Sequence, residues 1–495
     1  MEKRIIERIL ELSGVSKTVE LEKVLLELIQ SAKEGHLCHL VDDISVLPQA
    51  LFGEGKPLVL DENRLYLERN WALETNIFHK VLELRAHLPQ ESPERYREAL
   101  AKLNNLEEKQ RSALLLGFEN MFTLFTGGPG TGKTFTASCF IRLLAAARDK
   151  PLKVAIAAPT GKAAAHLESA LRSQGPIEKS LKCESSTLHR LLRLQPGMQR
   201  LQSSWTIDAD LVVVDEASML DASLLVHLLN AMGPKTRLLL LGDPDQLPPV
   251  EGGALFADLA ELFGQKLTRS IRIGSGGLLD VSNGIREGKI VQSEAVEWIE
   301  IKDHNLLIEK LPNPMSAIEP IQPKEDKTFR LLCALRQGPF GSDALNQAIL
   351  AHYEKECRDG QWLTIPIMIA QNDPKQQLYN GTTGVLVRKA NEKKAFAYFE
   401  GTRKMAESEL PRYEIAFCLS VHKSQGSEYE EVALLFPPGS EAFGREALYT
   451  GVTRAKKRAT VAIDGATLES LLKITSKKRS GLRARLSRTC AFREL

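Results

Sequence analysis

No two cysteines of the 495-residue chain are spaced CxxC; the seven (Cys38, Cys139, Cys183, Cys333, Cys357, Cys418, Cys490) lie far apart. That spacing argues against a zinc site, an iron–sulfur cluster or a disulfide framework and leaves buried or incidental thiols. Long apolar runs are missing too, since no segment approaches the ~18 uninterrupted apolar residues of a membrane span. The opening Met1-Glu2-Lys3-Arg4-Ile5-Ile6-Glu7-Arg8 mixes acids and bases from its second residue. It has neither the apolar core of a secretory leader nor the acid-poor character of a transit peptide, so the cytoplasm is the expected compartment. Charge of one sign is also lacking: 65 basic residues face 63 acidic ones. Any surface for a polyanion must therefore be local. There is no repeat of fixed period and no low-complexity tract, and the short basic run Lys477-Lys478-Arg479 reads as a solvated face.

What is present is the texture of a soluble α/β protein, with 43% hydrophobic and 26% charged residues. The length exceeds what one core supports, about 250–300 residues, and predicts two to four domains. The first hundred residues show helical spacing (Ile5, Ile6, Ile9, Leu12; then Leu21, Val24, Leu25, Leu28) and read as a small helical domain ending near Pro89 to Pro93. From Phe122 onward, short apolar runs such as Val154-Ala155-Ile156, Leu211 to Val214 and Leu238 to Leu241 alternate with loops and helical segments. This pattern predicts parallel sheets covered by helices. Ile365 to Ala370, Gly384 to Arg388 and Ala395 to Phe399 have no helix between them, only Asn380-Gly381 and charged turns, and predict a small inserted β-barrel.

The segment Gly127-Gly128-Pro129-Gly130-Thr131-Gly132-Lys133-Thr134 has the GxxxxGKT pattern between a strand-like run and a helix-like one, the context that motif requires. Its glycines let backbone N–H groups curl round phosphate oxygens; Lys133 neutralises the β and γ phosphates of ATP, and Thr134 offers a hydroxyl to Mg²⁺. Asp215-Glu216 follows a buried strand and is the expected second half of the site. Asp215 would hold Mg²⁺, and Glu216 would orient and deprotonate the attacking water. At a third strand end Gln246 could sense the γ-phosphate, and Arg272 and Arg454 are candidates to reach across a cleft to the transferring phosphoryl.

The ordered set Gly127 to Thr134, Ala158 to Ala164, Thr187 to Arg190, Asp215 to Ser218, Gly242 to Pro249, Val421 to Glu428 and Tyr449 to Ala455 resembles the superfamily 1 helicases. Within them the chain is similar to the exodeoxyribonuclease V alpha-chain (RecD) family, also at Ala334 to Gly341, Pro366 to Ala370 and Arg479 to Leu482. The resemblance implies two RecA-like P-loop domains with ATP between them. It places an N-terminal helical, partner-docking domain at 1–105 and the first RecA-like domain at 106–268, with a β-hairpin near 194–205. The second RecA-like domain would span 269–361 and 413–495, with an SH3-like β-barrel inserted at 362–412. It further implies that Gln110 recognises adenine, that Arg272 and Arg454 are arginine fingers, and that Gln425 and Glu428 link nucleotide state to DNA grip. Thr160, Lys162, His189, His422 and Lys423 would touch the DNA strand. Relatives commonly place Tyr or His where Ile271 stands before Arg272, so no stacking contact is expected from that neighbour. The implied activity is 5′-to-3′ helicase action on DNA with a single-stranded 5′ tail or a duplex end, beside RecB-like and RecC-like subunits. The rival expectations are a free-standing helicase and an ATP-gated DNA-binding protein that does not move.

Overall fold

The computed structural model describes residues 2–175, 180–194, 205–249, 251–268, 276–303, 305–320, 323, 325–371, 373, 375–392, 394–399 and 404–491. The expected hairpin near 194–205 falls almost wholly outside these residues. So does Ser270-Ile271-Arg272.

The architecture is α/β. The first parallel sheet has the order Leu181–Thr187, Leu152–Ala158, Leu211–Val214, Arg237–Gly242, Phe122–Thr126, Gly264–Lys266, and every neighbouring pair is parallel. Its four inner strands are apolar on both sides because both faces are covered, whereas the edge strands Leu181–Thr187 and Gly264–Lys266 are more polar. Phe122, Leu124, Val212, Val214, Leu238 and Leu240 face one core with helices Glu68–Ala86 and Ala222–Ala231. Phe125, Val154, Ile156, Val213, Leu239 and Leu241 face the other, with Pro93–Ala101, Glu108–Glu119 and Lys133–Ala146. The period of two along each strand sorts the side chains between these cores.

The second parallel sheet runs Val296–Ile299, Ala455–Ile463, Tyr429–Phe436, Phe329–Cys333, Cys418–Ser420. Between its strands lies an antiparallel sheet of Met315–Ser316, Trp362–Ile369, Thr383–Lys389, Ala395–Phe399 and Met405–Ala406, with Tyr413–Ile415 paired to Trp362–Ile369. Three of these strands coincide with the strand-like runs seen in the sequence. Gly381 takes a left-handed φ of 85° in the connection before the second of them.

The N-terminal region differs from expectation. Helices Glu2–Ser13 and Val19–Lys33 are present, but residues 38–67 add a three-stranded antiparallel sheet of Cys38–Leu40, Arg64–Leu67 and Leu58–Asp61. Leu58-Val59-Leu60 and Leu65-Tyr66-Leu67 are too short and too leucine-rich for periodicity to separate strand from helix. The turn at Glu62, with a φ of 56°, closes the hairpin.

After its last strand the second domain sends the chain back across the molecule. The Leu37 N–H donates to the Arg479 carbonyl (2.9 Å), and the Arg479 N–H donates to His36 Nδ1 (2.8 Å). The Gly481 N–H donates to the fully buried Glu74 (2.9 Å), and Leu482 and Leu486 enter the core of the first sheet. This crossing segment straps three bodies together. His36 must accept through an unprotonated nitrogen, and burial, with Arg479 and Lys478 nearby, pushes its pKa down to about 4. A histidine depressed in the folded state contributes stability that is complete above its ordinary value, near 6.5, and is lost as pH falls through its folded value. Acidification from pH 7 to 4 is therefore expected to lower the protection of the Arg479 amide against hydrogen exchange, measured relative to its intrinsic rate at each pH. His36→Gln, which keeps an acceptor without titrating, should lose that pH dependence; an unchanged profile would count against the strap.

Candidate nucleotide and motor site

Strand Phe122–Thr126 is buried throughout and delivers the chain to Gly127, at a φ of 153°. A Cβ there would lie 2.4 Å from the Leu267 carbonyl oxygen and 2.7 Å from Thr131 Oγ1, so only glycine fits. The loop ends at Gly132, left-handed at a φ of 81°, and helix Lys133–Ala146 starts with no side chain capping its first amides. Those orphan N–H groups and the helix's positive end suit an anion. Lys133 Nζ donates to the carbonyls of Gly127 (2.7 Å) and Gly128 (3.0 Å), and the Thr131 hydroxyl donates to that of Gly128 (2.8 Å).

Asp215 and Asp243 leave the ends of adjacent strands in the same sheet, and both carboxyls are buried. Burial raises both pKa values. The neighbouring Glu216 carboxylate raises that of Asp215 further, whereas Lys133 opposes the shift at both aspartates. The Lys133 ammonium thus acts on two buried acids at once. Asp215 Oδ1 accepts from the Glu216 N–H (2.8 Å). Glu216 is left-handed at φ 52° and ψ 39°. A non-glycine residue held there stores strain of order 1–3 kcal/mol, as residues at functional sites often do. Gln246 is buried, its Nε2 donates to Asp243 Oδ2 (3.3 Å), and its Oε1 has no hydrogen-bond partner among the described residues. A buried amide oxygen left open beside an acid is suited to a water or a phosphate hydroxyl.

The second domain closes on these groups. Tyr449 and Thr450, on helix Gly444–Val452, and Gln425 bond across the cleft: the Tyr449 hydroxyl donates to Asp243 (2.8 Å), Thr450 Oγ1 accepts from the Leu247 N–H (2.9 Å), and Gln425 Nε2 donates to the Leu247 carbonyl (3.1 Å). Leu247 itself is buried in the core of the second domain. A cavity of about 340 Å³ opens between the domains, bordered by Gly127, Gly128, Pro129, Asp245, Tyr449 and Arg286. Arg286, at the end of helix Gly276–Arg286, pairs with Asp245 at 3.3 Å. Tyr449→Phe removes one of the three cross-cleft hydrogen bonds and leaves a buried acid short of a donor, at a cost of about 1–3 kcal/mol. Faster hydrogen exchange in 444–452 is the expected result, and an unchanged rate would count against the bridge.

The remaining expected residues fall in different settings. Gln110 is buried, its Oε1 accepting from the Glu107 N–H (3.2 Å) in a capping box at the start of Glu108–Glu119. Arg454 is buried, and its guanidinium donates to the carbonyls of Thr450 (3.1 Å) and Ser427 (3.3 Å) and to the Thr453 hydroxyl (3.4 Å), all within its own domain. Thr160 caps helix Gly161–Ser173 through the Ala163 N–H (3.3 Å). Lys162 is on that helix, its side chain outside what is described. A Cβ built on Gly426 would lie 3.6 Å from Thr160 Oγ1 and 4.0 Å from Glu216 Cγ, so the loop carrying Gln425 and Glu428 sits against both. His189 is exposed on the short helix Leu188–Leu191. His422 packs edge-on against Phe443 at 5.3 Å, and Lys423 is paired with Glu414. Thr134 is half-buried at the start of the loop's helix. Sequence reasoning assigned no role to Asp243, Tyr449, Thr450 or Arg286. Asp243 and Tyr449 at least stand inside motifs it quoted; nothing local marks Arg286.

Residues 110–252 match the family model described as an AAA domain, and residues 415–462 match the one described as a UvrD-like helicase C-terminal domain. The RecBCD enzyme subunit RecD of Mycolicibacterium smegmatis is 35% identical over 88% of this chain and 84% of its own length. The chain belongs to the RecD family of superfamily 1 helicases. The RecBCD enzyme subunit RecD of Haemophilus influenzae is 29% identical across 92% of this chain and 83% of its own. The ATP-dependent RecD2 DNA helicase of Deinococcus radiodurans is 30% identical, covering 80% of this chain and 55% of its own. The two matched family models fall on the two halves of the RecD-type cleft, one on each parallel sheet.

Proposed function

We propose that this RecD-family chain is an ATP-driven DNA helicase, translocating 5′ to 3′ as the RecD subunit of a RecBCD-type exodeoxyribonuclease V in double-strand break repair and recombination. One observation carries the motor reading. The loop that follows Asp243 and Gln246 in the first domain is gripped at Leu247 by Gln425 and Thr450 of the second, so a change at the phosphate is felt by both domains. In this reading Lys133 and residues 127–134 hold the triphosphate, Gln110 the adenine, Glu216 activates water, and Gln246 and Gln425 relay the outcome, with Glu428 beside them. Arg272 and Arg454 would turn toward the transferring phosphoryl as the cleft closes. Thr160, Lys162, His189, His422 and Lys423 would grip the strand, Lys423 after release from Glu414.

Mg²⁺ fits the donors present. The Thr134 hydroxyl and the Asp215 carboxylate are hard oxygen ligands of the kind that hold Mg²⁺ together with substrate phosphates. Among the described residues there is no cluster of three or more His, Cys, Asp or Glu able to hold a metal without the nucleotide. Bound there, Mg²⁺ would neutralise charge on the phosphates.

We assign 1–105 to docking on a RecC-like subunit in a heterotrimer that also holds a RecB-like subunit. The domains 106–268 and 269–361 with 413–495 are the RecA-like pair, and the antiparallel strands between 362 and 412, joined at the sheet's edges by Met315–Ser316 and Tyr413–Ile415, stand for the SH3-like barrel. No helix among the described residues is long and apolar enough to cross a membrane, and a cytoplasmic setting suits a DNA substrate. Unwinding of 5′-tailed, 3′-tailed and blunt duplexes by the chain, alone and with RecB-like and RecC-like subunits, tests the reading. Unwinding from 5′ tails or duplex ends is expected. Unwinding only from 3′ tails overturns the polarity, and DNA-stimulated ATP hydrolysis without strand displacement overturns the motor.

A further inference from the structure

The basic run Lys477-Lys478-Arg479 is solvated at Lys477 and Arg479, which are exposed, and half-buried at Lys478. It forms the middle of the strap and borders two hollows that adjoin one another. The first, about 500 Å³, lies between the domains beside Gln246, Pro248, Lys266 and Lys477. The second, about 480 Å³, is bordered by Arg64, Lys478, Arg479 and Arg483. They share Asp258, Lys478 and Arg483, so they form one groove from the interdomain cleft to the N-terminal sheet.

Charge is distributed unevenly along it. The first hollow carries five acids against four bases, but its acids are engaged, Asp243 by the Tyr449 hydroxyl. Glu446 accepts from Thr475 (2.6 Å) and from the Ser476 N–H (2.9 Å), Glu261 pairs with Arg483 (2.7 Å), and Asp245 pairs with Arg286 (3.3 Å). The second hollow sets four bases against Asp258 alone. Asp258 accepts from the Ser480 hydroxyl, and burial pushes its pKa up to about 6. Of the four bases, Arg64 pairs with Glu62 (2.7 Å), and Lys478 Nζ donates to the Glu34 carbonyl (2.6 Å). The Arg479 guanidinium has no hydrogen bond or ion pair among the described residues, although both of its backbone groups are bonded into the strap. Lys477, exposed at the mouth, likewise bonds only through its backbone. At the cleft end Lys478 is close enough to His422 to help lower its pKa, after burial. His422 also packs against Phe443, three residues before Glu446 on the border of the first hollow, so the groove begins near a residue expected to touch the DNA strand.

We infer that this groove carries the phosphodiester backbone of a single nucleic-acid strand, with Lys477 and Arg479 as its free phosphate contacts, extending the track from His422 toward Arg64. The inference rests on the DNA-helicase reading. A guanidinium and an ammonium with no acid to satisfy them, held by a backbone fixed at both ends, form a pre-positioned contact that a phosphate completes by releasing counterions.

The test removes the charges and leaves the backbone. Binding of the full chain to an unstructured single strand and to a blunt duplex is measured against salt for wild type, Lys477→Gln/Arg479→Gln, and Lys150→Gln as a control on another exposed surface. Each phosphate contact on a single strand contributes about 0.7 to the slope of log K against log salt, so the double variant should be shallower by about 1.4. Its basal ATPase rate and melting temperature should match wild type. An unchanged slope overturns the inference, as does an equal change in the Lys150 control. A change confined to duplex overturns the single-strand assignment. Wild type that fails to bind DNA overturns the helicase reading instead, which separates the two failures.

Discussion

Glu216→Gln is expected to lower the turnover number of DNA-stimulated ATP hydrolysis by roughly 10²–10⁴-fold while ATP still binds. The variant differs from wild type by one basic oxygen. Glutamine keeps the shape, and it meets the same left-handed backbone at φ 52° that glutamate tolerates. Stability should not fall. Burial and the Glu216 charge together hold the Asp215 pKa up, so removing that charge lets Asp215 ionise more readily in the folded state. An acid whose folded pKa is raised loses stability as pH rises from its ordinary value through the folded one, and easing the shift returns some of it near neutral pH. In the proposed site nucleotide binding rests on Lys133 and residues 127–132, which the substitution leaves alone. Steady-state ATPase assays beside nucleotide-binding titrations decide the matter. Normal hydrolysis by the variant would remove Glu216 from the chemistry, and lost binding would show that it holds the site together instead.

The second large effect is on the fold. Arg237→Met is expected to cost about 3–5 kcal/mol, the usual loss when one partner of a buried ion pair is removed. Arg237 opens the strand Arg237–Gly242 and is among the largest fully buried side chains. Its guanidinium donates to the carbonyls of Gly117 (2.9 Å), Phe118 (3.0 Å) and Asn120 (2.5 Å), and to Glu91 (2.8 Å). It therefore satisfies the end of helix Glu108–Glu119 and ties down the segment near Pro89 to Pro93 that reads from sequence as a boundary. Methionine fills the volume but leaves three carbonyls without this donor and Glu91 with Arg148, at 3.3 Å, and the Gln90 N–H, at 3.2 Å. Replacing both partners, as Arg237→Met with Glu91→Leu, should recover much of the loss, because no charge is then left buried and unpaired. Urea denaturation of the two variants tests this. A single-variant loss under about 1 kcal/mol would show that the network holds little.

Because strand Arg237–Gly242 ends at Asp243, Arg237 supports the active strand from its opposite end. Nothing near Thr236-Arg237-Leu238 in the sequence marks that arginine as buried; its partners lie 117 to 146 positions away. The same distance effect hid Arg286 and the strap. The strands within residues 38–67, between helices that the sequence did suggest, were hidden for a different reason, since three-residue runs such as Leu58-Val59-Leu60 and Leu65-Tyr66-Leu67 carry no period that separates strand from helix.

The sequence alone marked candidates for chemistry held within single turns of chain. The loop at Gly127 to Thr134, the acids at Asp215-Glu216 and the amide at Gln246 were legible as such candidates because phosphate binding and water activation demand particular residue types at fixed short spacing. The alternation of apolar runs likewise pointed to a parallel sheet covered on both faces, since a strand buried on both faces is apolar throughout, while the second sheet was implied by the family resemblance. Only the tertiary structure decided which groups meet across distance. It set Tyr449 on Asp243, Thr450 and Gln425 on Leu247, Arg286 on Asp245, and the solvated basic run at 477–479 along the border of two adjoining hollows. Those pairings depend on how two sheets and a returning strap pack, and packing is fixed by the sum of many burials rather than by any local pattern.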